Sequence, residues 1–207
     1  MNQINHKSNQ LTIGVILALL SFIFLGFTVS NFSDKLAWDS AILLAIHSQS
    51  QPRLDQLAIM TTDLGELTGI IILSLPIWLL LAYQKKALVL TYLIITIFSS
   101  SLVNLIAKLI FQRMRPQLWE LFYLPHSFSF PSGHAMGSMT LVIALLLITR
   151  GTIWHNIFLI WGSLYLLLIA WTRLYLGVHY PTDILGGWLL AIVWTNSVYW
   201  LCLERVA

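Results

Sequence analysis

Long apolar runs alternate with short polar connections along this chain, and the pattern repeats six times. Leu11–Val29, Leu67–Tyr83 and Ala87–Ala107 contain no charged residue. Ser132–Thr149 turns apolar after its first turn, Ile157–Thr172 is rich in Leu, Ile and Trp, and Ile184–Leu203 closes the series. A spanning helix needs about 20 mostly apolar residues, so the pattern predicts an all-α membrane bundle with six transmembrane helices. The stretch between the first two runs, Ser33–Gly65, is more polar. Within it, Lys35–Ile46 mixes charges with Leu36, Trp38, Ile42, Leu43 and Ile46, which predicts a helix lying in the membrane interface.

Composition sharpens the class. The chain has 207 residues, of which 58% are hydrophobic and 9% charged, with a mean hydropathy of +0.81. Soluble domains carry about 25% charged residues, so a water-facing globule, a disordered chain and a secreted disulfide scaffold are all excluded. The net charge of +3 is small and scattered, giving no reason to expect nucleic acid. Cys202 is the single cysteine and has no intrachain partner. The first apolar run exceeds the core of a secretory signal and has no convincing cleavage site after it, so it is expected to stay as a helix. With no repeat, low-complexity run or linker, residues 1–207 are expected to form one domain.

Six passes place both termini on one side. Lys7, Lys85, Lys86, Arg150 and Arg205 then share a face opposite Lys35, Arg53, Lys108, Arg113, Arg115 and Arg173. Five against six does not orient the chain by counting. The basic turns at Gln84–Lys86 and Arg150 favour cytoplasmic termini and put the other face outside the cytoplasm. To that face parity brings the end of the third pass (Lys108, Arg115), the start of the fourth (Pro131-Ser132-Gly133-His134), the end of the fifth (Arg173) and the start of the sixth (His179, Asp183). Ionisable groups at a membrane are costly and usually functional.

Three cations suit a highly charged anion, and arginine's planar fork matches phosphate oxygens. Spacing alone does not separate Arg113 from Arg115. Ser132 is a good N-cap, and the first N–H groups of the helix it starts form an anion site that Gly133 lets a ligand oxygen approach. Pro181 fits the first turn of the last helix, which places Asp183 within reach of His179. A carboxylate on one ring nitrogen fixes the tautomer and frees the other nitrogen as a nucleophile. The second histidine, His134, then suits proton donation to a leaving group. His6, His47 and His155 lack such company; His126 falls in the outer loop with Glu120 and Tyr123, as part of an entrance.

These residues resemble the signature of the type-2 phosphatidic acid phosphatase superfamily of integral membrane lipid phosphatases. Its K-x6-R-P element matches Lys108 through Arg115-Pro116, which selects Arg115 over Arg113. Its P-S-G-H element matches Pro131–His134. Its S-R-x5-H-x3-D element matches Thr172–Asp183, with threonine in place of serine, a change that keeps the hydroxyl. The motif core spans about 108–183. The strings SFPSGHAMGS and YLGVHYPTDILGG resemble the short bacterial members, both phosphatidylglycerophosphatase B-like and undecaprenyl diphosphatase-like, with Gly133 favouring the former. The resemblance implies that His179 attacks phosphorus to form a phosphohistidine, that Asp183 orients it, and that His134 protonates the departing oxygen. Lys108, Arg115, Ser132, Gly133 and Arg173 would hold the phosphoryl oxygens, with no metal or other cofactor.

The expected partners are the bilayer and a lipid phosphate or diphosphate: phosphatidic acid, phosphatidylglycerophosphate, diacylglycerol diphosphate or undecaprenyl diphosphate. No nucleic acid and no obligate protein partner is expected. The expected location is a bacterial plasma membrane, with the active site on the extracytoplasmic face. A phosphotransferase passing the same phosphohistidine to an alcohol is the main alternative. An anion transporter fits less well, because the charges gather at one membrane end and not at the midplane. A metal hydrolase is disfavoured by three cations and the absence of a close ligand pair.

Overall fold

The computed structural model describes residues 2–32, 36–119 and 127–204. Among these the fold is all-helical: α1 (Asn2–Phe32), α2 (Ala37–His47), α3 (Pro52–Thr62), α4 (Leu67–Tyr83), α5 (Ala87–Phe111), α6 (Gly133–Ile148), α7 (Ile153–Tyr175) and α8 (Pro181–Tyr199). A 3-10 turn at Asp63–Gly65 joins α3 to α4, and a π turn at Trp200–Glu204 extends α8. Every apolar run is helical. Helices α1, α5 and α7 run past the expected ends, which brings Lys108 and Arg173 inside the last turns of α5 and α7.

By length and composition the described helices give four spans, or five when a bent pair counts as one. Thr12–Phe32, Ala87–Phe111, Ile153–Tyr175 and Pro181–Leu203 are each long and apolar enough to cross a membrane. The second expected pass is one arm of a bent pair, Pro52–Gly65 and Leu67–Tyr83, which meet at 63° and together make a fifth candidate. The fourth expected pass, α6, has only 16 residues. At 1.5 Å per residue it is shorter than a hydrocarbon core of about 30 Å. Helix α2 occupies the position of the expected interfacial helix; Lys35 lies outside the described residues. Helix α3 has no counterpart in the hydrophobic pattern. Its mixed sequence PRLDQLAIMTT begins with Pro52 in the first turn and Asp55 near the positive end of the helix dipole.

Helix α6 is the hub, packed against α4, α5, α7 and α8, while α1 and α5 also lie on α8. The outer face of α1 exposes Ile13, Leu17, Leu20 and Phe24, as a lipid-facing surface does. Just before α6, Phe130 is fully buried. It stacks on Phe22 with centroids 5.8 Å apart and meets Phe111 edge-on at 5.0 Å. A Cβ at Gly186 would collide with its ring, so glycine there makes room for the plug. Gly187 does the same for backbone: its Cβ would lie 2.6 Å from the Ser132 carbonyl oxygen and 3.0 Å from the Met136 nitrogen. These contacts seat the start of α6 against α8 and fix the segment 127–133 that carries the second motif.

Candidate active site

One cavity of about 530 Å³ opens where α3, α5, α6 and α7 end. Lys108, Arg115, Gly133, His134, Arg173 and His179 line it, together with Thr62, Asp63 and Glu66 from the α3–α4 bend. The three sequence clusters therefore meet, as parity required. Ser132 and Asp183 stand behind the wall, each fully buried.

The chain leaves α5 through Gln112, whose left-handed backbone (φ 47°) turns it sharply. Arg115 follows on the cavity side. Its Nε donates to the Ser127 carbonyl at 2.8 Å and its Nη1 to the Val178 carbonyl at 2.7 Å. The same Nη1 lies 3.2 Å from His179 Nε2. Lys108, in the last turn of α5, donates its Nζ to the Phe128 carbonyl. Arg173, in the last turn of α7, donates Nη1 to Thr62 Oγ1 at 2.6 Å. The Thr172 hydroxyl, which stands where the signature has serine, meets Thr62 at 3.3 Å and the Ile169 carbonyl at 2.8 Å. It thus faces α3, not the cavity.

His179 is held from behind. Its Nδ1 lies 3.4 Å from Asp183 Oδ2 and 3.4 Å from Ser129 Oγ. That Asp183 oxygen also accepts the Ser129 hydroxyl and, at 2.8 Å, the Tyr180 N–H. Burial pushes the His179 imidazole well below the usual histidine range, and the positive charges of Arg115, Arg173 and Lys108 push in the same direction. The ring is therefore neutral near pH 7. A guanidinium only donates, so the nitrogen facing Arg115 carries the lone pair and the proton sits on Nδ1, toward the carboxylate.

Arg113 is more than a neighbour of Arg115. It turns away from the cavity into a buried network, donating Nη1 to Asp183 Oδ1 at 2.6 Å and to Thr182 Oγ1 at 2.7 Å. Its Nη2 reaches Asp39 Oδ2 at 2.8 Å, and its guanidinium lies 4.1 Å over the Tyr180 ring. Asp39, on α2, in turn accepts the Thr182 N–H at 3.1 Å and hydroxyl at 2.5 Å. Such charges stay buried only when paired. One cation here bridges two carboxylates and anchors the acid behind His179.

At the start of α6 the N-cap is Ser132, whose Oγ accepts the Ala135 N–H at 3.5 Å. The Ser132 hydroxyl thus serves the helix rather than the cavity wall. Asn104 donates to the Pro131 carbonyl at 3.2 Å, and a Cβ at Gly133 would come within 3.0 Å of its Oδ1. His134 reaches the cavity. Its Nε2 is buried without a hydrogen-bond partner among the described residues and lies 4.0 Å from Glu66 Oε1. Sequence reasoning singled out none of Asp39, Thr62, Glu66 or Ser129. Asp39 and Glu66 were at least visible as rare acids in a chain with eight. His155 contacts the Leu146 carbonyl at 3.1 Å, away from the site, and His47 stacks on Trp119 at 4.0 Å. His126, with Glu120 and Tyr123, lies outside the described residues.

The family model of the PAP2 superfamily matches residues 88–206. An undecaprenyl-diphosphatase of Sulfolobus acidocaldarius is 30% identical over 117 residues, 54% of each chain. In Bacillus subtilis, the undecaprenyl-diphosphatase BcrC is 32% identical over 73% of this chain and 78% of its own length. Phosphatidylglycerophosphatase B of that organism is 30% identical over 75% and 78%. A crystal structure of a transmembrane PAP2-type phosphatidylglycerolphosphate phosphatase from Bacillus subtilis superposes with a TM-score of 0.82 over 93% of this chain and 97% of that one, at 24% identity. The chain belongs to the PAP2 superfamily: it is a multi-pass membrane protein and a phosphatase.

Proposed function

We propose that the chain dephosphorylates a lipid phosphate or lipid diphosphate through a phosphohistidine on His179, without a metal. The observation that carries this reading is the placement of His179, with Nδ1 backed by Asp183 at 3.4 Å and Nε2 facing a cavity lined by Lys108, Arg115 and Arg173. Nε2 attacks phosphorus as the bond to the leaving oxygen breaks, and His134 supplies the proton that oxygen takes up. Water then attacks the phosphohistidine while His134 recovers a proton from it. The N–P bond breaks, phosphate leaves and His179 regains its lone pair. Lys108, Arg115, Arg173 and the backbone at Gly133, positioned by Ser132, hold the phosphoryl oxygens. Donors fixed in place before the reaction stabilise the charge that develops in the transition state.

The named relatives divide between diphosphate and monoester substrates, so both lipid classes belong in the test. Phosphate release is measured from phosphatidic acid, phosphatidylglycerophosphate, diacylglycerol diphosphate and undecaprenyl diphosphate, with purified protein in detergent and chelator present. Release by wild type and none by His179→Ala is expected. Equal release by the variant would refute the phosphohistidine, and loss of release in chelator would refute the metal-free reading.

For topology, α4 and α6 are read as the two remaining passes, with both termini cytoplasmic and the cavity facing outward from a bacterial plasma membrane. The basic turns at Lys85–Lys86 and Arg150 support this orientation. In a Cys202→Ser background, Gln117→Cys is expected to react with an impermeant thiol reagent on intact cells. Labelling only after permeabilisation would reverse the orientation.

A further inference from the structure

Each histidine of the site has a carboxylate beside it, but only Asp183 belongs to the three motifs. The other is Glu66, with Oε1 4.0 Å from His134 Nε2. Its position is built. Glu66 follows the 3-10 turn at the bend between α3 and α4 and is the N-cap residue of α4, yet its side chain makes no capping bond. Gly65 allows the approach: a Cβ there would lie 3.1 Å from His134 Cδ2 and 3.2 Å from its Cβ. Glu66 also lines the cavity beside Lys108, Arg115 and Arg173.

The leaving-group step sets a problem that this placement answers. Donating a proton from Nε2 requires His134 to carry a second ring proton, and hence a positive charge, in a cavity lined by three cations. Coulomb repulsion disfavours that state. The nitrogen is buried and has no hydrogen-bond partner among the described residues. At 4.0 Å the Glu66 carboxylate is at ion-pair range and too far for a hydrogen bond, so it acts on His134 through charge.

We propose that Glu66 is a positioning residue for the leaving-group step, holding on His134 the proton that the departing oxygen takes up. The proposal rests on the reading of His134 as proton donor. Its consequence is selective. Glu66 matters for leaving groups expelled as basic alkoxides, such as the glycerol oxygen of a phosphatidate. It is dispensable for leaving groups that depart without a proton. Asp63, on the same bend, lines the cavity without an ion pair to either histidine among the described residues, and serves as a control.

The test compares the rate of phosphoenzyme formation, read by acid quench before water attacks, in wild type, Glu66→Gln, Glu66→Asp, Asp63→Asn and His134→Ala with phosphatidic acid and with p-nitrophenyl phosphate, whose phenolate leaves unprotonated. The Glu66 side chain is 55% exposed, so its variants should fold. General acid catalysis contributes about 10²–10⁴-fold. Glu66→Gln is expected to lose part of that, on the order of 10-fold in the phosphorylation rate with phosphatidic acid and under about 3-fold with p-nitrophenyl phosphate. Glu66→Asp should recover part of the loss, and Asp63→Asn, which removes a cavity acid without a histidine beside it, should change both substrates alike. Equal losses on both substrates, or no loss on either, would overturn the role of Glu66 while a selective His134→Ala defect leaves the proton donor standing. If His134→Ala slowed phosphoenzyme formation from both substrates equally, the proton-donor reading itself would fail, and Glu66 with it.

Discussion

Arg115 Nη1 lies 3.2 Å from His179 Nε2, so a cation proposed to bind phosphate rests on the lone pair of the proposed nucleophile. A phosphoryl group entering the cavity must draw the guanidinium onto its own oxygens, and that movement uncovers the nitrogen. Arg115→Ala is expected to lower kcat/KM by on the order of 100-fold, the scale of losing one preorganised donor. Arg115→Lys should recover little, because a point charge does not replace the fork. Acid-quench trapping of labelled phosphoenzyme should show slower phosphorylation. A pure KM effect, with the phosphorylation rate unchanged, would contradict this coupling.

The neutrality of His179 fixes the sign of the pH dependence. Its folded pKa is held well below 6.5 by burial and then by Arg115, Arg173 and Lys108. The ring therefore stays ready to attack at neutral pH, and the acid limb of kcat/KM due to this group lies well below 6.5. Lys108→Gln removes one of the opposing charges and should move that limb upward. Stability follows the same sign. Below about 6.5 the unfolded chain binds a proton that the folded site refuses, so stability is lost as pH falls from there. An acid limb that stays fixed in Lys108→Gln would count against charge as a cause.

Removing Arg113 strands two buried carboxylates. Breaking a buried ion pair from one side costs about 3–5 kcal/mol, so Arg113→Met should sharply lower the thermal midpoint in detergent and reduce kcat, although the side chain does not line the cavity. Asp39→Asn should be milder, because Asp183 keeps its cation. Stabilities of the two single variants and the double variant form a cycle, in which coupling of more than about 1 kcal/mol is expected for groups in one network. Strict additivity would show that the 2.8 Å contact between Arg113 and Asp39 carries no coupling energy.

Gly187→Ala should displace α6 from α8. The atoms its Cβ would meet are backbone, at 2.6 and 3.0 Å, and cannot swing aside. A cost of roughly 1–3 kcal/mol from overpacking is expected, with activity falling further than stability because Ser132 and Gly133 shift with the helix start. Gly133→Ala meets only the tip of Asn104, so Gly133→Ala combined with Asn104→Ala should regain part of the activity lost by Gly133→Ala alone. Thermal midpoints and phosphate release on these four chains decide it.

The parts of the site that were legible in the sequence are those fixed by local spacing. Ser132 caps α6, Pro181 starts α8, and Asp183 stands one helical turn from His179; each follows from helix geometry. Parity carried Lys108, Arg173 and His134 to one end. The direction of Arg113 was not legible, because it depends on the left-handed turn at Gln112 and on the Ser129 N–H bound to the Arg113 carbonyl at 2.8 Å. Asp39, Thr62 and Glu66 were missed for a related reason. They reach the site from the first turn of α2 and from the α3–α4 bend, 42 or more residues before Lys108, through tertiary packing alone, with no fixed spacing to betray them. Helix α3 escaped because hydrophobic patterning finds spans, and α3 is held by polar ties: Tyr175 Oη to Asp55 Oδ1 at 2.5 Å and Arg173 to Thr62.

The buried trio of Asp39, Arg113 and Asp183 also has an evolutionary consequence. On the proposed mechanism the acid at 183 is tied to chemistry and is not free to drift, so the arginine at 113 is not to be lost before the acid at 39. A lineage that lost the arginine first would bury two acids without a counter-ion, and one that lost Asp39 first would keep a cation with a single acid. The second route is the cheaper one. Homologous chains without an arginine at 113 should therefore also lack the acid at 39, while the reverse combination should be found. A chimaera that imports α2 from a chain neutral at 39 should keep its phosphatase, whereas one importing a neutral 113 alone should lose it.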